Sequence, residues 1–529
     1  MCNACVPSWL SDVFGKAAPT RRDFLASAAA FTAAASAAGI ARAAGGVEII
    51  FHNALFHTQH FGKPRARALA LSGGRIVAVG SEADVFALKT NATRTIDLDG
   101  RHVFPGFIDR HQHPISAAAQ LAFFDDAGPG VYKNKPDLIA GLQPQAASKK
   151  PGEWLYVGSF DNILQGGDLT VSDLDQVSTS VPVFVFYNNS HTASVNTAAF
   201  NAAGITKDSP NRPGGGAFGR TAGGDLNGVV YETNMIPFFA TLKITPQAIA
   251  KGFQTHLARC AAVGLTTIHE AGSGLTGRTT DILGGYQQLA SSTASPVRLS
   301  SSPMIDFLDD GNAYARRYGT PGPRAIQVPG SLLSFYAVKI VGDGSNQTET
   351  AGQTIPYLNS DKKGTVNYTR DQFVEKCQKA KSLGWPISIH SNGDATLDVV
   401  LDAIEAVYGA HSPLGINRIE HCTITRPEQI ERMAKLGVQP SFLINHVYYY
   451  GAAYRDALLG PERAARMDPG AQAVSLKLPF TFHSDAPVTK PGPLQMIGVG
   501  VTRRSITDGS IVGKDQAISV DDSLRTMTI

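Results

Sequence analysis

From Pro105 onward, short apolar runs that end in polar or charged residues alternate with stretches of helical spacing. Thr266–His269 follows the helical stretch Ala248–Val263. Pro386–His390 follows Arg370–Leu383, Arg418–His421 follows Thr396–Tyr408, and Val438–Phe442 follows Arg426–Leu436. Val181–Tyr187, Phe335–Val341 and Pro479–His483 read as further strands. Repeated strand–helix units predict parallel strands with crossover helices. A run this long favours a closed, TIM-like (β/α)8 barrel over an open sheet. Residues 115–235 interrupt the alternation and read as a subdomain inserted after the first strand. They include a Gly-rich loop from Pro213-Gly214-Gly215-Gly216 to Asn227-Gly228. No Gly-Lys-Ser/Thr follows that loop, so it is not a phosphate loop.

Ahead of Pro105 the period changes. Residues 44–104 form a β-rich module with Val47–Phe51 as one strand and two turns, Ser72-Gly73-Gly74-Arg75 and Asp99-Gly100, each between apolar runs. Those are hairpin signals. Residues 1–43 read as an address. Arg21-Arg22 precede an Ala-rich apolar stretch that ends at Ala41-Arg42-Ala43, a small-x-small cleavage pattern. The order resembles a bacterial twin-arginine signal, which predicts the twin-arginine export machinery as a partner and a periplasmic or secreted product. The stretch is short and Ala-dominated for a membrane span, and no later apolar run is long enough, so no stable membrane anchor is expected.

Composition narrows the function classes. Lys plus Arg number 47 against 44 Asp plus Glu, a net charge of +3. Residues 1–43 carry Lys16, Arg21, Arg22 and Arg42 against Asp12 and Asp23, so the remainder lies near +1. A near-neutral chain has no basic face for nucleic acid and suits a small-molecule substrate. Five Cys in 529 residues exclude a disulfide scaffold. Cys260, Cys377 and Cys422, which follow the signal, read as small buried apolar residues.

The polar strand ends carry the chemistry. His111-Gln112-His113 closes the first strand, and alternate residues there point both imidazoles the same way, toward a shared metal. Lys339 interrupts the apolar run Phe335–Val341. A buried ammonium is costly, so the neutral amine is favoured and can add carbon dioxide to give an anionic carbamate; a lysine snorkelling from an edge strand reads equally well from local sequence. His390 and His421 close successive strands, and Asp485 follows a late one. His269-Glu270 and His446 also end strands and are candidates for substrate contact or for the layer behind the ligands. Glu232 is a weaker one.

Together these residues resemble the amidohydrolase superfamily, and PGFIDRHQHP, VKIVGDGS, HSNGD, RIEHC and HSDAPV are similar to its amidohydrolase-3 branch, which includes enzymes that deformylate N-substituted formamides. The resemblance implies a metal-dependent hydrolase barrel with a small β-sandwich built from both chain ends. It implies a divalent metal, zinc above all, as one or two ions. His111, His113, Lys339, His390, His421 and Asp485 would be ligands, with Lys339 as a carboxylated bridge and Asp485 as the catalytic acid–base. His191, within Ser190–Asn196, matches a motif of the branch and falls in the insertion. The implied reaction is hydrolysis of a non-peptide carbon–nitrogen bond in an amide, formamide or cyclic amide by metal-activated hydroxide. A decayed binding or regulatory scaffold, or a deaminase or isomerase of the superfamily, is the alternative, and a homo-oligomer is left open. Two departures stand out. The chain ends at Ile529, soon after Leu524–Thr528, where the family continues into strands that return to the β-sandwich, so the closing module is expected to be missing. His390-Ser391-Asn392-Gly393-Asp394 also carries Asn where an apolar residue is usual.

Overall fold

The computed structural model describes residues 46–190, 192–212, 216–243, 245–273, 295–307, 326–328, 331–411 and 416–528. The expected signal, residues 1–43, lies outside them. No helix among the described residues is long and apolar enough to cross a membrane. The chain divides into two compact units, with the division between Ile108 and Asp109.

The smaller unit is β-rich. A four-stranded sheet runs in the order Arg75–Gly80, Ala68–Ser72, Ile49–His52, Arg94–Asp97, and a three-stranded one in the order Arg65–Ala66, Leu55–His57, His102–Val103. Ala68 and Ala70 turn inward onto Ile50 and Val85, as the two-residue period of a half-buried strand requires. Ser72 pairs with Arg75 across Gly73 and Gly74, at φ +56° and +71°. A two-residue turn with both central residues left-handed matches strand twist, and glycine adopts it without strain.

In the larger unit, eight parallel strands carry the candidate residues: β1 Phe107–Gln112, β2 Leu265–Ser273, β3 Arg298–Pro303, β4 Val338–Val341, β5 Ile387–Ser391, β6 Arg418–His421, β7 Gln439–Phe442 and β8 Thr481–Phe482. They form two five-stranded sheets. One runs from β1 through β2 and β3 to Leu333–Phe335 and Ile326–Gln327; the other runs β4 to β8 in chain order. A parallel bridge, Met304 to Lys339, joins β3 to β4. Asp485 N donates to His111 O at 3.0 Å, and His113 N to Ala486 O at 2.7 Å, joining the end of β8 to β1.

The connecting helices follow local rules. Arg370–Ser382 opens on a capping box between Thr369 and Gln372. Pro427–Leu436 starts on proline, buries Ile430, Met433 and Leu436, and ends at Gly437 in the left-handed region. Two expected strands are shorter than the apolar runs suggest. Phe335–Val341 splits, because Leu333–Phe335 pairs with β3 while Val338–Val341 pairs with β5. Pro479 has no N–H to give a ladder, and pairing in the last strand is confined to Thr481–Phe482. Val183–Tyr187 belongs to a separate six-stranded mixed sheet, between Thr192–Val195 and Leu155–Phe160. That sheet buries Leu155, Val157, Val183 and Val185 with Leu138 and Leu142 from the helix Lys135–Ala147. Cys260, Cys377 and Cys422 are buried free thiols.

Candidate metal centre

The ends of β1, β5, β6 and β8 bring a buried cluster of imidazoles and one carboxylate together. His111 Nε2 and His113 Nε2 each lie 3.2 Å from Asp485 Oδ1, and these three form a group able to hold a metal ion. Each imidazole is held from behind by a carboxylate. His111 Nδ1 lies 2.9 Å from Glu420 Oε2, and His113 Nδ1 lies 3.2 Å from Glu270 Oε1. A carboxylate behind a ligand fixes its tautomer and makes it a stronger donor. Burial alone would raise the Glu420 carboxyl, but Arg418 and His111 hold it well below its ordinary range. Arg418 reaches both oxygens of Glu420, at 2.8 and 2.9 Å, and Ser388 Oγ donates to it at 2.7 Å. Asp485 is likewise held ionised against burial, by His111, His113 and His421.

His421 and His390 make the other side. Their ring centroids are 4.3 Å apart, and those of His421 and His111 are 4.7 Å apart. His421 Nδ1 lies 3.3 Å from His483 Nε2, and His483 Nδ1 lies 2.9 Å from Ser441 Oγ. His421 Nε2 is buried without a hydrogen-bond partner. His483 groups with His111 and His421 in metal-ligand range, but both its nitrogens are already engaged, which makes it the orienter of His421. His390 Nε2 donates to Gly344 O at 3.0 Å, so the lone pair, and any ligation, falls on Nδ1. Burial, with the His390 and His111 charges, pushes the His421 imidazole well down, so it stays neutral as a ligand must be.

Lys339 is fully buried on β4, and its Nζ has no hydrogen-bond partner among the described residues. Its charge acts on Glu420 and His269, and its neighbour Val341 sits opposite His390 in the ladder. The expectation of strand ends needs correction at two places. His269 and Glu270 lie inside β2, which runs on to Ser273. His446 lies on a helix, Asn445–Ala453, because β7 stops at Phe442. His269 Nε2 contacts Ser302 Oγ at 2.9 Å, and Glu270 stands behind His113. Burial pushes the His446 imidazole down to about 3, which makes it a neutral hydrogen-bonding group. Glu232 opens a short 3-10 turn, Glu232–Met235. His191 lies outside the described residues.

A pocket opens on the cluster. Its lining includes His113, His390, His421, His446 and Asp485, with Asp161, Asn188, Gln347 and Tyr450 around them. Asp161 Oδ2 accepts from Tyr450 OH and from Asn188 Nδ2, both at 2.8 Å, which ties the inserted sheet to the helix carrying His446. Sequence reasoning did not single out Glu420, His483, Arg418, Asp109 or Gln347. Asp109 accepts from Ser484 Oγ at 2.6 Å and so anchors the loop that carries Asp485. Strand alternation puts Arg418 and Glu420 on one face, a signal that could have paired them.

The N-substituted formamide deformylase of Arthrobacter pascens is 24% identical to this chain over 471 residues, covering 88% of this chain and 85% of that protein. The exoenzymes regulatory protein AepA of Pectobacterium carotovorum is 24% identical over 405 residues, covering 73% of this chain and 82% of that protein. An uncharacterised metal-dependent hydrolase from Pyrococcus horikoshii has the same fold, with a TM-score of 0.67 at 20% identity over 90% of this chain and 91% of that one. The amidohydrolase family profile matches residues 94–529, and this chain belongs to that family.

Proposed function

We propose that this protein is a metal-dependent hydrolase of non-peptide carbon–nitrogen bonds, acting on a small amide, formamide or cyclic amide. The observation that carries the reading is the meeting of His111 Nε2, His113 Nε2 and Asp485 Oδ1 in a buried site, with a carboxylate behind each imidazole. We read the eight parallel strands as a closed (β/α)8 barrel with its chemistry at the C-terminal ends. The bridge from Met304 to Lys339 and the backbone bonds between β1 and the end of β8 support that closure.

The donor set suits a divalent metal, and nitrogen and oxygen ligands suit zinc. His111, His113 and Asp485 would hold one ion, and His390 and His421 a second. Lys339, buried and without a hydrogen-bond partner, is the residue for a bridging carbamate. A bound ion supplies Lewis-acid activation of the substrate carbonyl and of water. Asp485, ionised and with Oδ1 turned to the two imidazoles, takes the proton of the attacking water on its other oxygen. It gives that proton to the nitrogen as the C–N bond breaks, so an amide and water become an acid and an amine. His446, neutral and hydrogen-bonded on both nitrogens, transfers no proton in this scheme.

Purified protein is expected to contain zinc or a related ion and to release formate from an N-alkyl formamide. Chelation should abolish the activity and zinc restore it; activity that survives exhaustive chelation overturns the reading. A folded chain that takes up no divalent ion would instead favour a non-catalytic role, such as the regulation for which AepA is named. The carbamate is tested by 13C NMR after exchange with labelled bicarbonate, with Lys339→Arg as the blank. We further propose that residues 1–43 direct twin-arginine export of the folded, metal-loaded enzyme. A reporter fused to them should reach the periplasm and lose that export when both arginines become lysine.

A further inference from the structure

A single backbone carbonyl fixes the direction of a hydrogen-bond chain that runs from the metal cluster to the pocket wall. Gly344 O can only accept, and Asn392 Nδ2 lies 2.9 Å from it, so the Asn392 amide must present nitrogen there. Asn392 Oδ1 therefore faces Thr423 Oγ1, at 2.7 Å, and Thr423 must give it its one hydroxyl proton. Thr423 Oγ1 can then only accept from His446 Nδ1, at 3.1 Å, which places the imidazole proton on Nδ1. His446 Nε2 is left as an acceptor, and Gln347 Nε2, 3.1 Å away, must be the donor. The far end agrees. Ser345 Oγ accepts from Gln347 N at 3.1 Å and gives its proton to Gln347 Oε1.

Both Gln347 and His446 line the pocket with His113 and Asp485. The Gln347 side chain has its carbonyl occupied by Ser345 and one amide hydrogen occupied by His446. The second amide hydrogen is uncommitted among the described residues. We propose that Gln347 is a substrate-orienting donor, offering this N–H to a hydrogen-bond acceptor of the substrate, and that His446 is the positioning residue that aims it. The proposal rests on the hydrolase reading for the identity of the substrate and on proton inventory alone for the direction of the chain.

The test separates the two ends of His446 in zinc-loaded protein. His446→Gln keeps an acceptor where Nε2 stood, whereas His446→Asn keeps only the donor toward Thr423. With N-methylformamide as the probe, H446N and Gln347→Ala are each expected to raise KM about tenfold, the scale of one hydrogen bond, with kcat changed by less than about threefold. H446Q is expected to stay near wild type in KM, and Thr423→Ser to rescue whatever Thr423→Val loses. Equal KM values for H446N and H446Q, or a fall in kcat alone, would overturn the proposal. Independently, 15N NMR of His446, assigned by its loss in H446N, should show a neutral ring protonated on Nδ1. A proton on Nε2 overturns the chain whatever the activity. A wild type inactive on formamides but carrying the Nδ1–H ring overturns the assigned reaction and upholds the direction of the chain.

Discussion

His111 and His113 are each backed by a carboxylate, and His390 by the Gly344 carbonyl with Asp343 Oδ1 at 3.3 Å, whereas His421 is backed by another imidazole. The first pair stands on charge. Glu420 is itself held by Arg418 and Ser388, so the support behind His111 has two layers. The second pair is uneven: Asp343 stands behind His390, while the route behind His421 runs through neutral groups, from His483 to Ser441 and on to Thr481. A carboxylate raises the basicity of the imidazole in front of it more than a neutral acceptor does. His421 should therefore be the weaker link, and the two proposed ion sites should differ in how tightly they keep an ion.

The largest effect belongs to the residue on which the charged pair converges. Asp485→Asn keeps the shape but cannot take a proton, and kcat should fall by about 10²–10⁴-fold, the range of a lost general base. Metal content should fall much less, because both imidazoles and their carboxylates remain. Steady-state kinetics with metal analysis check this. A D485N enzyme within tenfold of wild type would move the proton carrier elsewhere.

Next comes the difference in affinity. Glu420→Gln should weaken the tighter of the two proposed ion sites by about 10–100-fold, and His483→Gln should weaken the looser site by a factor at the lower end of that range. Competitive chelation followed by metal counting resolves the two. If H483Q loosens the tight site instead, the assignment of carboxylate-backed ligands to tight binding is wrong.

Acid should find the neutral side first. Buried His421 and His483 are held well below their ordinary value of 6.5. Below that pH the unfolded chain takes protons that the folded one refuses, so stability of the metal-free protein falls as pH drops. Each such imidazole contributes about 1.4 kcal/mol per pH unit. Glu420 and Asp485 are depressed from 4.5 and 3.8, so the stabilisation they give is whole above those values and is lost only as pH falls below them. Urea midpoints of the apoprotein between pH 7 and 3 should show two stages, and H483Q should flatten the first.

Sequence pattern revealed the strands that carry the candidate ligands because His113, His390 and His421 each close an apolar run, Lys339 interrupts one and Asp485 follows one. It placed His390, His421 and Asp485 at the ends or just beyond the ends of β5, β6 and β8, where the structure also has them. It could not pair Glu420 with His111, since those residues are 309 positions apart and only the folded chain brings them together. It misplaced His446, because an apolar stretch such as Ser441–Ile444 does not announce where strand gives way to helix. The residues behind the ligands were the least legible, as they are ordinary serines, threonines and amides whose roles come from who faces them.

A matched pair of small changes tests the same asymmetry at its finest. Ser388 Oγ donates to Glu420 Oε1, and Ser441 Oγ stands 2.9 Å from His483 Nδ1. Both hydroxyls are buried. Ser388→Ala leaves Glu420 still held by Arg418 and His111, so the loss should be about 0.5–1.5 kcal/mol of stability, the worth of one redundant hydrogen bond. Ser441→Ala removes the hydroxyl that His483 Nδ1 faces and leaves a buried ring nitrogen unsatisfied, which costs about 1–3 kcal/mol. It also frees His483 to turn away from His421, so S441A should release the looser ion more readily while S388A leaves both ions in place. Denaturation of the apoproteins gives the first quantity and chelation rates of the loaded proteins the second. If S388A is the more damaging of the two, the charged side is less redundant than its two layers suggest, and the difference lies in packing and not in what stands behind the imidazoles.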